Sequence, residues 1–183
     1  MEIIIVLGVI ALVVVFCVAH YYRLIRLNIS VDEAWAQIEV QLKRRADLIP
    51  NLVETVKGYA AHEQSTFDAV VTARAKATTA STVADTAAAD GMLTQALRGL
   101  LAVAEAYPDL KASANFISLQ EELATTENKV AFSRQFYNDN VRELNTAVKT
   151  VPTNFFAGFA KVNEREFYEV EDPQDRKAPN VKF

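Results

Sequence analysis

The chain has a single cysteine, Cys17, so no intramolecular disulfide can staple it and no thiolate cluster can hold a metal. Its fold must therefore rest on packing. Histidine is almost as scarce, with only His20 and His62. His62-Glu63 begins like the zinc-protease helix motif, which needs a second imidazole at position 66 to share one face of the metal, and Thr66 stands there. No glycine-rich phosphate loop and no Ser-His-Asp or Cys-His set occurs. Glu121, Glu122 and Glu127 could suggest a carboxylate metal site, but dinuclear bundles add a Glu-x-x-His motif on partner helices, and none exists here. We read them as ion-pair partners. The expectation is a non-enzyme with no cofactor and no metal. Nor is charge of one sign in excess: 19 basic against 23 acidic residues, a formal −4, gives no electrostatic argument for nucleic acid as a partner.

Apolar residues are unevenly spread. Ile3 to Tyr22 contains no charged side chain, and these twenty residues as a helix span about 30 Å, the thickness of a bilayer's hydrocarbon core. A cleaved export signal is the competing reading. Such signals begin with positive charge and have a shorter apolar core, whereas this stretch follows Glu2 and runs longer. A retained anchor is the better fit. Arg23 and Arg26 follow the span, and the positive-inside rule then places the N-terminus outside and the remainder in the cytoplasm. The expected location is a bacterial cytoplasmic membrane, crossed once, with the lipid bilayer as first partner.

From Val31 the apolar residues recur at alternating steps of four and three: Trp35, Ile38, Leu42, then Arg45, Ile49, Leu52, Val56 and Tyr59. This is a heptad seam, the signature of a helix packed lengthwise on partner helices, and Arg45 is its sole charge. Lys43-Arg44-Arg45 could bind phosphate or anionic lipid, but three adjacent helical positions face different ways; a solvated face plus one buried partner fits better. A buried guanidinium needs a carboxylate. Glu127 is the first choice and Glu122 the second. Pro50 removes a backbone donor and crowds the carbonyl of Ala46. Because the seam keeps its phase across Pro50, we read a kinked helix; the alternative is a break, with Asp47 capping a second helix. Ser30-Val31-Asp32-Glu33 has the form of a capping box, so the membrane helix either restarts at Ser30 or runs on, and continuity is preferred.

The first long helix is expected to reach about Lys76, and Thr78 to Gly91, almost wholly small and polar, reads as a linker or frayed end. Leu93, Leu97, Leu100, Ala104 and Tyr107 mark a second helix that closes at Pro108. A third begins between Asp109 and Asn115 and follows Phe116, Leu119, Leu123, Thr126, Val130, Ser133, Tyr137, Asn140, Leu144, Ala147 and Val151 up to Pro152. Thr126, Ser133 and Asn140 are polar seam positions, which cost stability and specify register. A short aromatic helix over Thr153 to Lys161 and an extended tail follow. Phe155, Phe156, Phe159, Phe167 and Tyr168 are too many large rings to leave in water, so this segment is expected to dock on helices, its own or a neighbour's, and to aid self-association. The fold class is thus all-α: an anchor over 1–22, an antiparallel bundle of three long helices over 23–151, and a short fourth helix with its tail over 152–183.

The runs LKRRADLIPNLVETVKGYAAHE from Leu42, AVAEAYPDLKAS from Ala102, NFISLQEELATTENKVAFSRQFYN from Asn115, and the closing VPTNFFAGF and APNVKF resemble the LemA family, in order from about Tyr21 to Phe183. Thr153 replaces an expected serine, and Lys161-Val162 stands where a glycine-phenylalanine pair is more usual, which bears on the packing of the short helix. The resemblance implies a single-pass bacterial membrane protein with an antiparallel helical bundle. It implies no established enzymatic activity and offers no catalytic or ligand residues. One branch includes a magnetosome-membrane protein implicated in membrane formation, which points toward membrane organisation. The expected role is a membrane-anchored scaffold or adaptor that self-associates or recruits other membrane proteins; the alternative is a ligand-binding sensor with a small-molecule or peptide partner, which would need a cavity with convergent polar groups.

Overall fold

In the computed structural model, which describes residues 1–169, the chain is all-α, with no strand among the described residues. Among the described residues six helices follow in order: α1 Glu2–Lys57, α2 Gln64–Thr79, α3 Val83–Glu105, α4 Pro108–Lys111, α5 Ala114–Lys149 and α6 Asn154–Ala160. The tail residues Pro173 and Pro179, and the APNVKF run, lie outside the described residues.

α1 is one unbroken helix through both Ser30 and Pro50, so neither the capping box nor the proline ends it. It does not reach Lys76. Gly58, the poorest ordinary helix former, follows its last residue, and the chain turns over Gly58 to Glu63, the amides of Tyr59 and Ala60 both bonding the carbonyl of Val56. The seam's phase survives this turn by coincidence, and Tyr59 is largely exposed. The stretch from Thr78 to Gly91, expected as a linker or frayed end, is instead mostly helical. Only Ala80 to Thr82 leave helical structure, and α3 starts at Val83, with the Thr82 hydroxyl accepting from the Asp85 amide at 3.0 Å. Its Ala-rich first turns carry no large apolar stripe because small side chains let helices approach closely; Thr86, Ala87, Ala89 and Asp90 are all buried.

The chain forms two compact units, Met1–Ile38 with Ser133–Phe167, and Glu39–Phe132 with the segment from Tyr168. In the second unit, Ile49, Leu52 and Val56 of α1, Phe67 and Val70 of α2, Leu93, Leu97 and Leu100 of α3, Leu110 of α4, and Phe116 and Leu123 of α5 share one core. In the first, α1 and α5 run antiparallel, Leu24 meeting Ala147 and Trp35 facing the Tyr137 ring at 5.5 Å. α6 lays Phe156, Ala157 and Ala160 on that packing. Its C-terminal turn puts Lys161 at φ 52°, the left-handed conformation that glycine adopts without strain, and buries Val162. The residues after it are pinned: the Asn145 side chain accepts from the Arg165 amide and donates to its carbonyl, both at 2.8 Å, Tyr137 donates to the Glu166 carbonyl at 2.9 Å, and Arg165 pairs with Asp32.

The aromatics divide. Tyr168 is buried and Phe156 and Phe167 are half-buried, but Phe155 and Phe159 are 67% and 83% exposed, so the chain's own helices do not cover them.

Candidate functional site

A strongly polar feature in the core of the second unit is built on Arg45, which keeps its place on the α1 seam and is 2% exposed. Its Nη1 donates to Asp90 Oδ1 at 2.6 Å, and its Nη2 donates to Glu127 Oε1 at 2.6 Å and to Thr94 Oγ1 at 3.0 Å. Thr94 in turn donates to the carbonyl of Asp90 at 2.9 Å, one turn earlier on α3. Tyr168 closes the set, its hydroxyl donating to Asp90 Oδ2 at 3.1 Å. Each Asp90 oxygen thus receives a donor, and one guanidinium is held between carboxylates from α3 and α5. Glu127 is 45% exposed at its side chain, so the cluster is dry at Asp90 and wet at Glu127. Burial pulls the Arg45 pKa below its ordinary value, and the neighbouring Glu127 and Tyr168 oppose that shift. A guanidinium remains charged in a protein all the same.

Glu127, the first choice, is thus a partner of Arg45, while Glu122 is exposed and its backbone carbonyl accepts from the Thr126 hydroxyl at 2.8 Å. Asp90 is hard to find from sequence because it lies in the Ala-rich stretch whose composition reads as a linker or frayed end. The available signal was Thr82-x-x-Asp85, a helix-start pattern, which carries the helix over Asp90 and puts Asp90, Leu93 and Leu97 on one face.

Pro50 has a second, equally local consequence. With no amide hydrogen it leaves the carbonyl of Ala46 without its helical partner, and Ala46 is buried. Arg74 of α2 supplies the missing donor, its Nε reaching Ala46 O at 2.8 Å. Of the polar seam residues, Thr126 and Ser133 are buried and Asn140 is half-buried, its side chain donating to the Phe136 carbonyl. His62 and Glu63 sit in the turn between α1 and α2 rather than on a helix face.

Chemically, the Arg45 set commits its charges to one another. Its geometry is that of an internal clamp joining α1, α3 and α5. An open groove of about 690 Å³ lies between α2 and α3, lined by Ser65, Asp68, Thr72, Lys76, Met92 and Gln95 among others; it is shallow and apart from the buried charges.

Searched against curated proteins, the chain finds no match. A sequence model of the LemA family matches residues 34–183, which include the Arg45 clamp, Pro50 and α6. The chain belongs to the LemA family.

Proposed function

We propose that this protein is a non-enzymatic scaffold or adaptor, anchored once in the bacterial cytoplasmic membrane with its N-terminus outside and its antiparallel bundle in the cytoplasm, where it self-associates or recruits other membrane proteins. The observation that carries this reading is that α1 holds both the candidate span and Arg45 of the clamp on one uninterrupted helix. Ile3 to Tyr22 exposes its apolar side chains almost throughout, as a segment facing lipid does. The clamp meanwhile ties that helix to α3 and α5. Val40 and Phe132, 62% and 70% exposed, supply apolar contact for another chain in the second unit.

Mass photometry of the detergent-solubilised protein is the test. A large defined oligomer is expected; a monomer that co-purifies with a small molecule would favour the sensor instead. Orientation is tested separately, by protease treatment of intact spheroplasts, which should spare the C-terminal domain.

A further inference from the structure

The clue is the level at which α6 meets α1. Phe156 stacks on His20 with ring centroids 6.1 Å apart, and His20 also meets Phe16 edge-on at 4.3 Å. His20 is two residues from the end of the uncharged run, and at about 1.5 Å of rise per residue it lies within about 3 Å of that end along the helix axis. Ala157 and Ala160 continue the contact around Leu24 and Leu27, just past the run. The short helix therefore lies beside the border of the apolar span.

Its two faces differ. Phe156, Ala157 and Ala160 turn inward, while Phe155 and Phe159, four residues apart and so on one face, turn outward and are mostly exposed. Val151, also outward, is 70% exposed. At the same level α1 presents Tyr21 and Tyr22, the residue type that collects at headgroup depth, followed by Arg23 and Arg26. A cleft of about 470 Å³ opens there, lined by His20, Arg23, Arg26, Ser30 and Glu143. Arg23 is held only loosely by Glu143, at 4.0 Å, with both side chains mostly exposed.

We propose that α6 is seated in the bilayer interface, with Phe155 and Phe159 at the boundary of headgroups and acyl chains and with Arg23 and Arg26 meeting lipid phosphate in the cleft. The occupant is the lipid surface because the outward face is continuous with a span whose own partner is lipid, and because tyrosine and arginine flank it in the order that a membrane boundary favours. α6 is too short to bind a membrane as a free helix. Anchored on Leu24 and Ala147, it needs no such independent affinity.

This inference rests on Ile3 to Tyr22 crossing the bilayer, and the experiment separates the two. The full chain, carrying Trp35→Phe to remove its one tryptophan, receives Phe159→Trp, Phe155→Trp or Ile10→Trp and is reconstituted in vesicles of lipids brominated either near the glycerol or at the chain ends. Ile10→Trp should lose emission most to chain-end bromines, which reports the span. Phe159→Trp and Phe155→Trp should be blue-shifted and lose emission most to bromines near the glycerol. If Ile10→Trp is quenched while both α6 variants emit as in water, the interfacial seat is wrong. Blue-shifted α6 emission that no bromine quenches would also overturn it, by showing that a second copy covers the face. If Ile10→Trp itself escapes quenching, the span fails and the seat fails with it.

Discussion

Arg45 donates to acceptors on two other helices, and removing its side chain would take from Asp90, which is 1% exposed, the cation that balances its buried charge. Breaking a buried pair on one side typically costs about 3 to 5 kcal/mol. Arg45→Ala should accordingly lower the melting midpoint by roughly 10 °C in a chain of this size. Arg45→Met combined with Asp90→Leu should melt above either single variant, since an apolar pair leaves no unpartnered charge in the dry part of the cluster and Glu127 can turn to water; calorimetry giving additive losses would contradict the clamp. Tyr137 offers a pH test. Burial, the main cause, raises its pKa above the ordinary 10.0, with nearby Arg165 pulling the other way. The fold thus favours the neutral phenol, so this contribution is complete below pH 10 and is lost as pH rises through the raised folded-state value. Tyr137→Phe should lose about 1 kcal/mol at neutral pH with its bond to Glu166. It should also show a flatter alkaline limb in urea melts taken across that range. Lys161, left-handed at φ 52°, carries strain that glycine would not, and Lys161→Gly should raise stability by about 1 kcal/mol in the same assay.

At the scale of the element, Pro50 and Arg74 form a dependent pair. The proline frees a buried carbonyl and the arginine caps it, so Arg74→Met should cost about 1 to 3 kcal/mol by leaving Ala46 O unsatisfied. In a Pro50→Ala background the amide of residue 50 resumes the helical bond, and the same Arg74→Met change should cost less. A double-mutant cycle with no coupling between the two sites would mean that Ala46 O finds another donor. The same pair explains how a proline sits inside a long helix here at a cost below the usual about 3 kcal/mol: its main local penalty, an orphaned acceptor, is met from α2.

For the whole molecule, the segment after Pro152 contributes stability and, through α6, a membrane contact. Deleting Thr153 to Phe183 removes the burial of Val162 and Tyr168, the Arg165–Asp32 pair and the α6 packing on Leu24. The two buried side chains alone are worth about 3 kcal/mol or more, so the midpoint should fall by roughly 10 °C. Because Phe155 and Phe159 face lipid in this reading, the oligomer mass should be unchanged by the deletion. A smaller oligomer would restore the self-association role that the aromatic composition first suggested.

Much of this protein is determined along the chain itself. The uncharged run, the phase of the α1 seam, the single charge within it and the proline stops are local or periodic features, and each follows from helix geometry alone. From them come the all-α class, the candidate span and Arg45 as a seam cation in need of a carboxylate, with Glu127, beside the seam position Thr126, as first choice and Glu122 as second. Tertiary structure decided what depends on close approach. Whether Gly58 ends α1 or the seam runs on to Tyr59 turns on α2 folding back to place Phe67 and Arg74 against it, and periodicity continues unchanged across such a turn. Whether Thr78 to Gly91 is linker or helix turns on packing between small side chains, which leave no large apolar stripe to read; Asp90 was hidden for that reason. And the outward rings of α6 acquire meaning only when Phe156 is found against His20, because a sequence records which residues are aromatic but not the depth at which they sit.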